Sequence, residues 1–452
     1  MNYEAVYDVI DFSLSKTLNE QKLIDELFLP FAQNDFVISV LSVETSNQKI
    51  AIIENYLKSA IKIFEIQKND LLMILQNLQL KQMLQEAIEN TSKEFNKIEN
   101  FFDLLINHAI LNNISDIHFE SKNDFFSIRV RIDGILVIIM NLDEKYFGTI
   151  SSYLKLISKL DISQKRIPQN GRFTKMIDGE QFDFRISCMP TINGESIVIR
   201  ILSNQNIEIN LKHLGFDPKT LQIIQNSIKS SSGLILVSGP TGSGKTTSLY
   251  AILKELNSKT KKILTIEDPV EYKIDNVQQV GVNPEIGLDF ITILKNALRQ
   301  DPDIMMIGEI RDEESLKIAI AAALTGHLVL ATIHTNSAIL TIDRMLDLNA
   351  DPFLISATIK AIISQRLVRR ICQKCFGLGC VKCNMSGYFG REIVSEILIN
   401  SKKLAKSISL KSASDEIFQI AKTEGFSTMS ENGMNKVEDK LIKIEDLLLA
   451  TS

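Results

Sequence analysis

The periodicity of apolar residues changes twice along the chain, and each change marks a different kind of structure. Near the N-terminus, the run Leu71 to Leu78 places Leu71, Ile74, Leu75 and Leu78 on one face of a helix. Upstream of it, Phe36 to Val43 reads as a short strand. Between about 97 and 206 a period of two takes over. Phe125 to Val137 alternates through Asp133-Gly134, a dipeptide suited to a tight hairpin turn. Phe182 to Cys188 alternates as well, Ser196 to Leu202 is a further strand pattern, and Ile150 to Leu160 reads as a helix between them. This predicts an α+β domain around a small antiparallel sheet. From about 214 short apolar runs recur instead: Leu234–Val237, Ile263–Ile266, Ile304–Ile307 and Leu328–Ala331. Helical stretches separate them, over Thr246–Leu256, Asp289–Gln300 and Asp312–Leu324. Apolar strands alternating with helices predict an α/β domain whose largely parallel sheet is covered on both faces.

Composition sharpens the boundaries. None of the 20 glycines precedes Gly134, and the first arginine is Arg129. Residues 1–100 hold 15 Asp/Glu and 9 Lys, a net charge of −6, which leaves +1 for the rest of a chain whose total is −5. A helix-rich, acidic module at 1–96 therefore precedes the α+β domain at 97–206 and the strand–helix domain at 207–452. Three domains suit 452 residues at roughly 150 each. A composition 45% hydrophobic and 23% charged excludes a disordered or collagenous chain. The weakly acidic balance, with a pI near 5.7, supplies no basic field for direct nucleic-acid binding. Met1 to Asp8 lacks a secretory signal pattern, and the longest apolar runs, such as Ile135 to Met140, fall far short of the ~18 residues that span a bilayer. A cytoplasmic protein that reaches a membrane only through partners is expected.

The chemistry begins at Gly239-Pro240-Thr241-Gly242-Ser243-Gly244-Lys245-Thr246, which matches G-x-x-x-x-G-K-[ST] between a strand and a helix. Glycines let backbone N–H groups turn inward around phosphates, and the helix start adds its positive dipole end. Lys245 would hold the β- and γ-phosphates of ATP, and Thr246 would offer an oxygen to Mg²⁺. Two further runs end in carboxylates. Asp303 to Ile307 delivers Glu309, and Ile263 to Ile266 delivers Glu267 and Asp268. Ligands gather at the carboxyl ends of strands in such sheets, so one acid would serve Mg²⁺ and another would orient the attacking water.

Together these residues resemble the secretion ATPases of type II secretion and type IV pilus assembly. Leu298 to Asp312 is similar to the family's signature around its Walker B strand, Glu267-Asp268-Pro269-Val270-Glu271 to its Asp box, and Thr325 to Asn336 to its His box. Ser115 to Glu120 and Arg131 to Gly134 are similar to motifs of its N-domain. The resemblance covers about 97 to 398. It implies a RecA-like P-loop domain preceded by a PAS-like domain. It makes Glu267 the catalytic glutamate that polarises water, Glu309 the Mg²⁺-site glutamate, and His334 a neighbour of the γ-phosphate. The segment Asp161 to Arg172 resembles the part of the N-domain that sends arginines over the nucleotide. Arg166, Arg172, Arg185 and Arg200 are the candidates for that charge stabilisation.

Cys372-x2-Cys375-x4-Cys380-x2-Cys383 gathers four of the five cysteines at 372–383, a spacing that reads as a four-thiolate Zn²⁺ site. Cys188, in a strand pattern, reads as a small buried hydrophobe. Gly379 to Arg391 resembles the tetracysteine element of the assembly ATPases, which the retraction branch lacks. The spacer of four residues is shorter than is usual in the family, and Ile393 stands where it usually has glycine. The reading these features favour is a hexameric motor ATPase that drives pilin or pseudopilin assembly. Its 1–96 module would dock on an inner-membrane platform or docking protein of the secretion or pilus system, so the motor would sit peripherally at the inner membrane. A non-hydrolysing nucleotide-binding scaffold and a P-loop phosphotransferase are the alternatives.

Overall fold

The computed structural model describes residues 10–451 except 16–17, 35–36, 76–77, 90–95, 204–209, 381–382 and 384–385. The Met1–Asp8 stretch, Phe36 and the expected boundary at 206–207 lie outside the described residues. The chain divides into two compact units, residues 1–205 with 374–389, and residues 206–373 with 390–452.

The first unit holds two sheets. Strands β1 (Phe28–Asn34), β2 (Val37–Ser42) and β3 (Ala60–Glu65) form the smaller one, antiparallel between β1 and β2 and parallel between β2 and β3. A parallel neighbour needs a crossover, supplied by the helix Asn47–Leu57, whose N-cap Ser46 accepts from the Lys49 N–H at 3.3 Å. Leu71, Ile74, Leu75 and Leu78 are all buried, but the face they form is shared between two helices, Lys68–Leu75 and Leu78–Glu89. The larger sheet contains β4 (Asp116–Ser121), β5 (Phe125–Ile132), β6 (Ile135–Asp143), β7 (Gln169–Ile177), β8 (Glu180–Thr191) and β9 (Gly194–Ser203). It runs β6-β5-β4-β9-β8-β7 and is antiparallel at every pairing. Between β5 and β6, Asp133 (φ 48°) and Gly134 (φ 90°) both take the left-handed conformation that a two-residue hairpin turn requires. On β8, Phe182, Phe184, Ile186 and Cys188 all point into the core. The predicted helix begins three residues early, at Phe147, and ends at Ile157. One core cluster runs from Phe12 and Leu29 to Phe184 and Ile199, so residues assigned to two domains bury their apolar surface together. β7 escaped prediction because it is an edge strand whose outward positions are polar or exposed.

In the second unit, β10 (Gly233–Ser238), β11 (Ile263–Glu267), β12 (Val277–Gly281), β13 (Ile304–Ile307), β14 (Leu328–Ile333), β15 (Ile359–Ile371) and β16 (Tyr388–Ile399) build one sheet ordered β12-β11-β13-β14-β10-β15-β16. The pairings of β10 with β14 and β15, of β11 with β12 and β13, and of β13 with β14 are all parallel. Leu234 and Leu236 pack on one face with Leu316 and Ile320. Ile235 and Val237 pack on the other with Leu249 and Ile252. Burial on both faces explains why these strands read as unbroken apolar runs. The predicted helices appear as Lys245–Leu256, Phe290–Ala297 and Glu313–Leu324, with Asp289 and Asp312 as N-caps of the last two. β15 and β16 carry the sheet past the predicted strands. Among the described residues no helix is long and apolar enough to cross a membrane.

Candidate functional site

Parallel pairing brings four strand ends to one edge of the second unit's sheet. Ser238 is level with Ile333, Ile307 with Ala331, and Ile266 with Ile307. The segment Gly239–Thr246 leaves β10 here and enters the helix Lys245–Leu256. Gly239 has φ 145°, and a Cβ there would fall 2.5 Å from the Gln365 carbonyl oxygen and 2.5 Å from Ser243 Oγ, so only glycine fits. Ser243 Oγ is buried without a hydrogen-bond partner. Lys245, 9% exposed, donates to the carbonyls of Gly239 (2.9 Å) and Pro240 (3.0 Å). Burial lowers its pKa, opposed by the Glu309 carboxylate. A closed backbone loop, an unmatched hydroxyl and a buried ammonium spending its bonds on loop carbonyls form a cradle that fits a phosphate chain.

Three of the predicted residues meet at this cradle. His334 follows β14, with Nδ1 3.5 Å from Lys245 Nζ and Nε2 3.2 Å from Glu309 Oε1. Glu309, just past β13, also accepts from Arg311 Nε at 2.9 Å. Thr246 is exposed at the start of the helix. Glu267 is placed differently. It ends β11 with only 3% exposure, and Tyr250 Oη, Thr265 Oγ1 (2.5 Å) and Gln279 Nε2 (3.1 Å) all donate to its carboxylate. Burial and the adjacent Glu267 push the Tyr250 hydroxyl far above its usual range, which keeps it a donor. Asp268, beside it in the chain, is half-exposed, with Oδ2 3.8 Å from an Arg311 nitrogen. His327 stands at the opposite end of β14 from His334, where its Nδ1 lies 2.9 Å from the Ala322 carbonyl oxygen.

The predicted arginines belong to the first unit. Register sets Arg172 opposite Arg185, Arg185 opposite Arg200, Arg200 opposite Asp116, and Asp116 opposite Arg131. Asp116, Arg172, Arg185, Ser187 and Arg200 line an open cavity of about 580 Å³. Asp116 is buried and accepts from Arg200 Nε (2.9 Å) and Ser115 Oγ (2.7 Å). Arg166 stands outside this row, exposed on the segment before β7, where its N–H donates to Gln164 Oε1 at 3.0 Å.

The four cysteine sulfurs of 372–383 all lie within 4.8 Å of one another. Cys375 and Cys383 are 3.6 Å apart and Cys380 and Cys383 3.7 Å, close to the ~3.8 Å edge of a tetrahedron with Zn–S bonds of about 2.3 Å. The N–H groups of Gly379 and Cys380 donate to the Cys375 and Cys383 sulfurs at 3.2 and 3.1 Å. The short spacer is thus compatible with a four-sulfur cluster, and the set fits Zn²⁺. Cys188 is buried in β8, and burial raises its thiol to about 11, as suits a core residue.

Several residues that shape these sites escaped the sequence reading: Gln365, Ser248, Tyr250, Arg366 and Asp116 as an arginine anchor. Gln365 left a trace, as the second of two polar residues that follow the apolar run from Ala361 to Ile363. Tyr250 left none, because helical position alone does not reveal which strand end its hydroxyl meets.

Comparison with known proteins gives a consistent picture. A family model described as "Type II/IV secretion system protein" matches residues 91–449. The type II secretion system protein E of Pseudomonas aeruginosa is 38% identical over 372 residues, covering 77% of this chain and 74% of that protein. The type IV pilus assembly ATPase PilB of Myxococcus xanthus is 39% identical over 375 residues, covering 76% and 66% respectively. Among solved structures, the pilus retraction motor PilT with bound ADP is 29% identical with a TM-score of 0.54, covering 76% of this chain and 95% of that one. The DotB ATPase of Legionella pneumophila shares the fold, with a TM-score of 0.61 at 24% identity, covering 77% of this chain and 94% of that one.

Proposed function

The chain belongs to the type II/IV secretion system protein family, and from that premise we propose how its parts work as a motor. It is an ATPase of the kind that serves type II secretion and type IV pilus assembly. We assign 1–96 to docking, 97–206 to a PAS-like domain that contributes arginines, and 207–452 to a RecA-like ATPase domain carrying the cysteine element. The observation that carries the reading is the line from Lys245 through His334 to Glu309 at the mouth of the Gly239–Thr246 cradle.

In this reading Lys245 exchanges the loop carbonyls for the β- and γ-phosphates of ATP, and the loop N–H groups hold the chain in place. Thr246 and Glu309 would hold Mg²⁺, which supplies charge stabilisation at the phosphate oxygens. Glu267, restrained by Tyr250, Thr265 and Gln279, is the carboxylate we assign to orient the attacking water. Arg172, Arg185 and Arg200, with Arg166, supply guanidinium charge to the phosphates when subunits of a homo-hexamer close. Cys372, Cys375, Cys380 and Cys383 would hold Zn²⁺, which supplies a structural cross-link. The motor works peripherally at the inner membrane on a platform or docking protein of the secretion or pilus machinery.

The test is ATP turnover with Mg²⁺ and no phosphate acceptor, measured across protein concentration. Turnover should appear without an acceptor and rise more than linearly as rings assemble. A fully active monomer, with specific activity flat on dilution, would overturn the ring. A dependence on an added acceptor would put phosphotransfer first.

A further inference from the structure

Gln365 lies on β15 just past the end of β10, since Ser364 is level with Ser238. It is completely buried. Its side-chain amide spends both ends on the phosphate loop and the helix that follows. Nε2 donates to the Ser243 carbonyl at 2.8 Å, and Oε1 accepts from Ser248 Oγ at 2.9 Å. These two partners flank Gly244 and Lys245. The backbone carbonyl of Gln365 is also the wall that a Cβ at Gly239 would strike. Its neighbour Arg366 donates to the Asn336 carbonyl (3.0 Å) and Oδ1 (3.2 Å), two residues beyond His334.

Peptide planarity gives the Ser243 contact its meaning. In a trans peptide the N–H points away from the C=O of the same plane. Anchoring the Ser243 carbonyl toward β15 therefore turns the Gly244 N–H the other way, away from the strand. The Ser243 carbonyl can only accept, so it fixes the amide nitrogen toward itself, and the Ser248 hydroxyl donates to the oxygen that is left.

We propose that Gln365 is a positioning residue for the nucleotide phosphates, setting the peptide plane between Ser243 and Gly244 from outside the loop. The proposal rests on the nucleotide-binding reading of Gly239–Thr246. Gln365 touches no reacting atom in it; it acts through the loop.

The experiment measures affinity for a fluorescent ADP analogue in wild type, Gln365→Met and Gln365→Glu from about pH 5 to pH 8.5. Gln365→Met keeps the volume but loses both bonds and leaves the Ser243 carbonyl unpaired, so affinity should fall roughly tenfold. Gln365→Glu discriminates more sharply. Protonated, its carboxyl donates to the Ser243 carbonyl and accepts from Ser248, reproducing the amide. Ionised, it has no proton to donate and sets a negative charge beside the phosphates. Burial raises the pKa of such a carboxyl. Its affinity relative to wild type should therefore approach one at low pH and fall at least tenfold as pH rises. Gln365→Glu at low pH keeps every bond, so it answers even if Gln365→Met fails to fold. Binding by folded Gln365→Met within twofold of wild type would overturn the role. So would a Gln365→Glu to wild-type ratio that does not change with pH. A wild type that binds no ADP would fail the nucleotide reading itself, an outcome distinct from either.

Discussion

The cradle at Gly239–Thr246 and the arginine row reach their functional shape by different routes. The cradle is one contiguous segment shaped by its own backbone, with Gly239 in a conformation closed to other residues, and braced from outside at one point, the Ser243 carbonyl held by Gln365. The row draws Arg131, Asp116, Arg200, Arg185 and Arg172 from five strands, and they are neighbours only because the register of an antiparallel sheet makes them so. The floor of the cradle, Gly239, Ser243 and Lys245, is buried beneath an exposed rim, and its ammonium is already held. Arg200 is 63% exposed at its side chain and anchored at a single carboxylate. A contiguous site with its cation already held on a buried floor is pre-organised for binding. The row is held together by register instead of by one stretch of backbone, with Arg172 and Arg200 open to solvent and Arg185 half-buried between them.

That contrast predicts different losses on mutation, and Lys245→Ala should show the largest. It removes the only predicted cation in the cradle and should weaken ATP binding on the order of a hundredfold or more. Isothermal titration with ADP and with a non-hydrolysable ATP analogue measures it directly. Retained affinity would mean that the cradle is not the phosphate site. Glu267→Gln should separate binding from chemistry, with affinity within a few fold of wild type and turnover reduced on the order of a hundredfold. Single-turnover hydrolysis beside equilibrium binding tests it. Wild-type turnover in this variant would remove Glu267 from catalysis and leave Glu309, nearer Lys245 and His334, as the acid to examine.

The row should answer in turnover alone. Arg172→Ala should lower hydrolysis by roughly ten- to a hundredfold, with nucleotide affinity within about threefold, because the guanidinium acts on charge that develops in the transition state. Equal losses in affinity and turnover would make the row part of ground-state binding and erase its contrast with the cradle.

These two regions also differ in how well the sequence reveals them. G-x-x-x-x-G-K-T, the cysteine spacing, and carboxylates at the ends of apolar runs are local patterns, and local patterns carry over into the fold. The buried strands β10, β11, β13 and β14 were legible for the same reason, since covering on both faces leaves no polar position to blur the run. Register is not local. Nothing in Asp116 or Arg200 announces that they pair across 84 residues, and nothing in Glu267 announces that Tyr250 covers it. The shared core of residues 12–199 was hidden too, because a drop in glycine and arginine marks a change of composition and not a gap in packing.

The cysteine cluster joins the contiguous class and offers a smaller, cleaner test of it. Purified protein should carry about one Zn²⁺ per chain, and Cys380→Ser should lose it, because a three-thiolate remnant no longer closes the tetrahedron. Elemental analysis reads this directly. The metal should also protect 372–387 from proteolysis, and that protection should vanish with a chelator. Carefully prepared wild type without zinc would remove the site, leaving four sulfurs gathered by the chain alone.

The smallest effect expected is at Asp116, and its sign distinguishes an anchored arginine from a free one. Burial alone would raise this carboxyl's pKa, but the hydrogen bonds from Arg200 and Ser115 and the Arg200 charge outweigh it, so the folded-state value lies below the ordinary one. A carboxylate whose pKa is depressed by folding adds stability above its unfolded pKa and loses it as pH falls through the folded value. Asp116→Asn removes that contribution. Its cost should be about 1 kcal/mol near neutral pH, modest because Arg200 is largely exposed and water screens the pair. The gap in urea midpoint between wild type and Asp116→Asn should then be constant from pH 8 down to about 5 and close as pH drops below about 4. High salt should narrow it at neutral pH. A gap that persists unchanged to pH 3 would mean that Asp116 contributes through packing and not through charge. Arg200 would then be unanchored, and the row would be a coincidence of register.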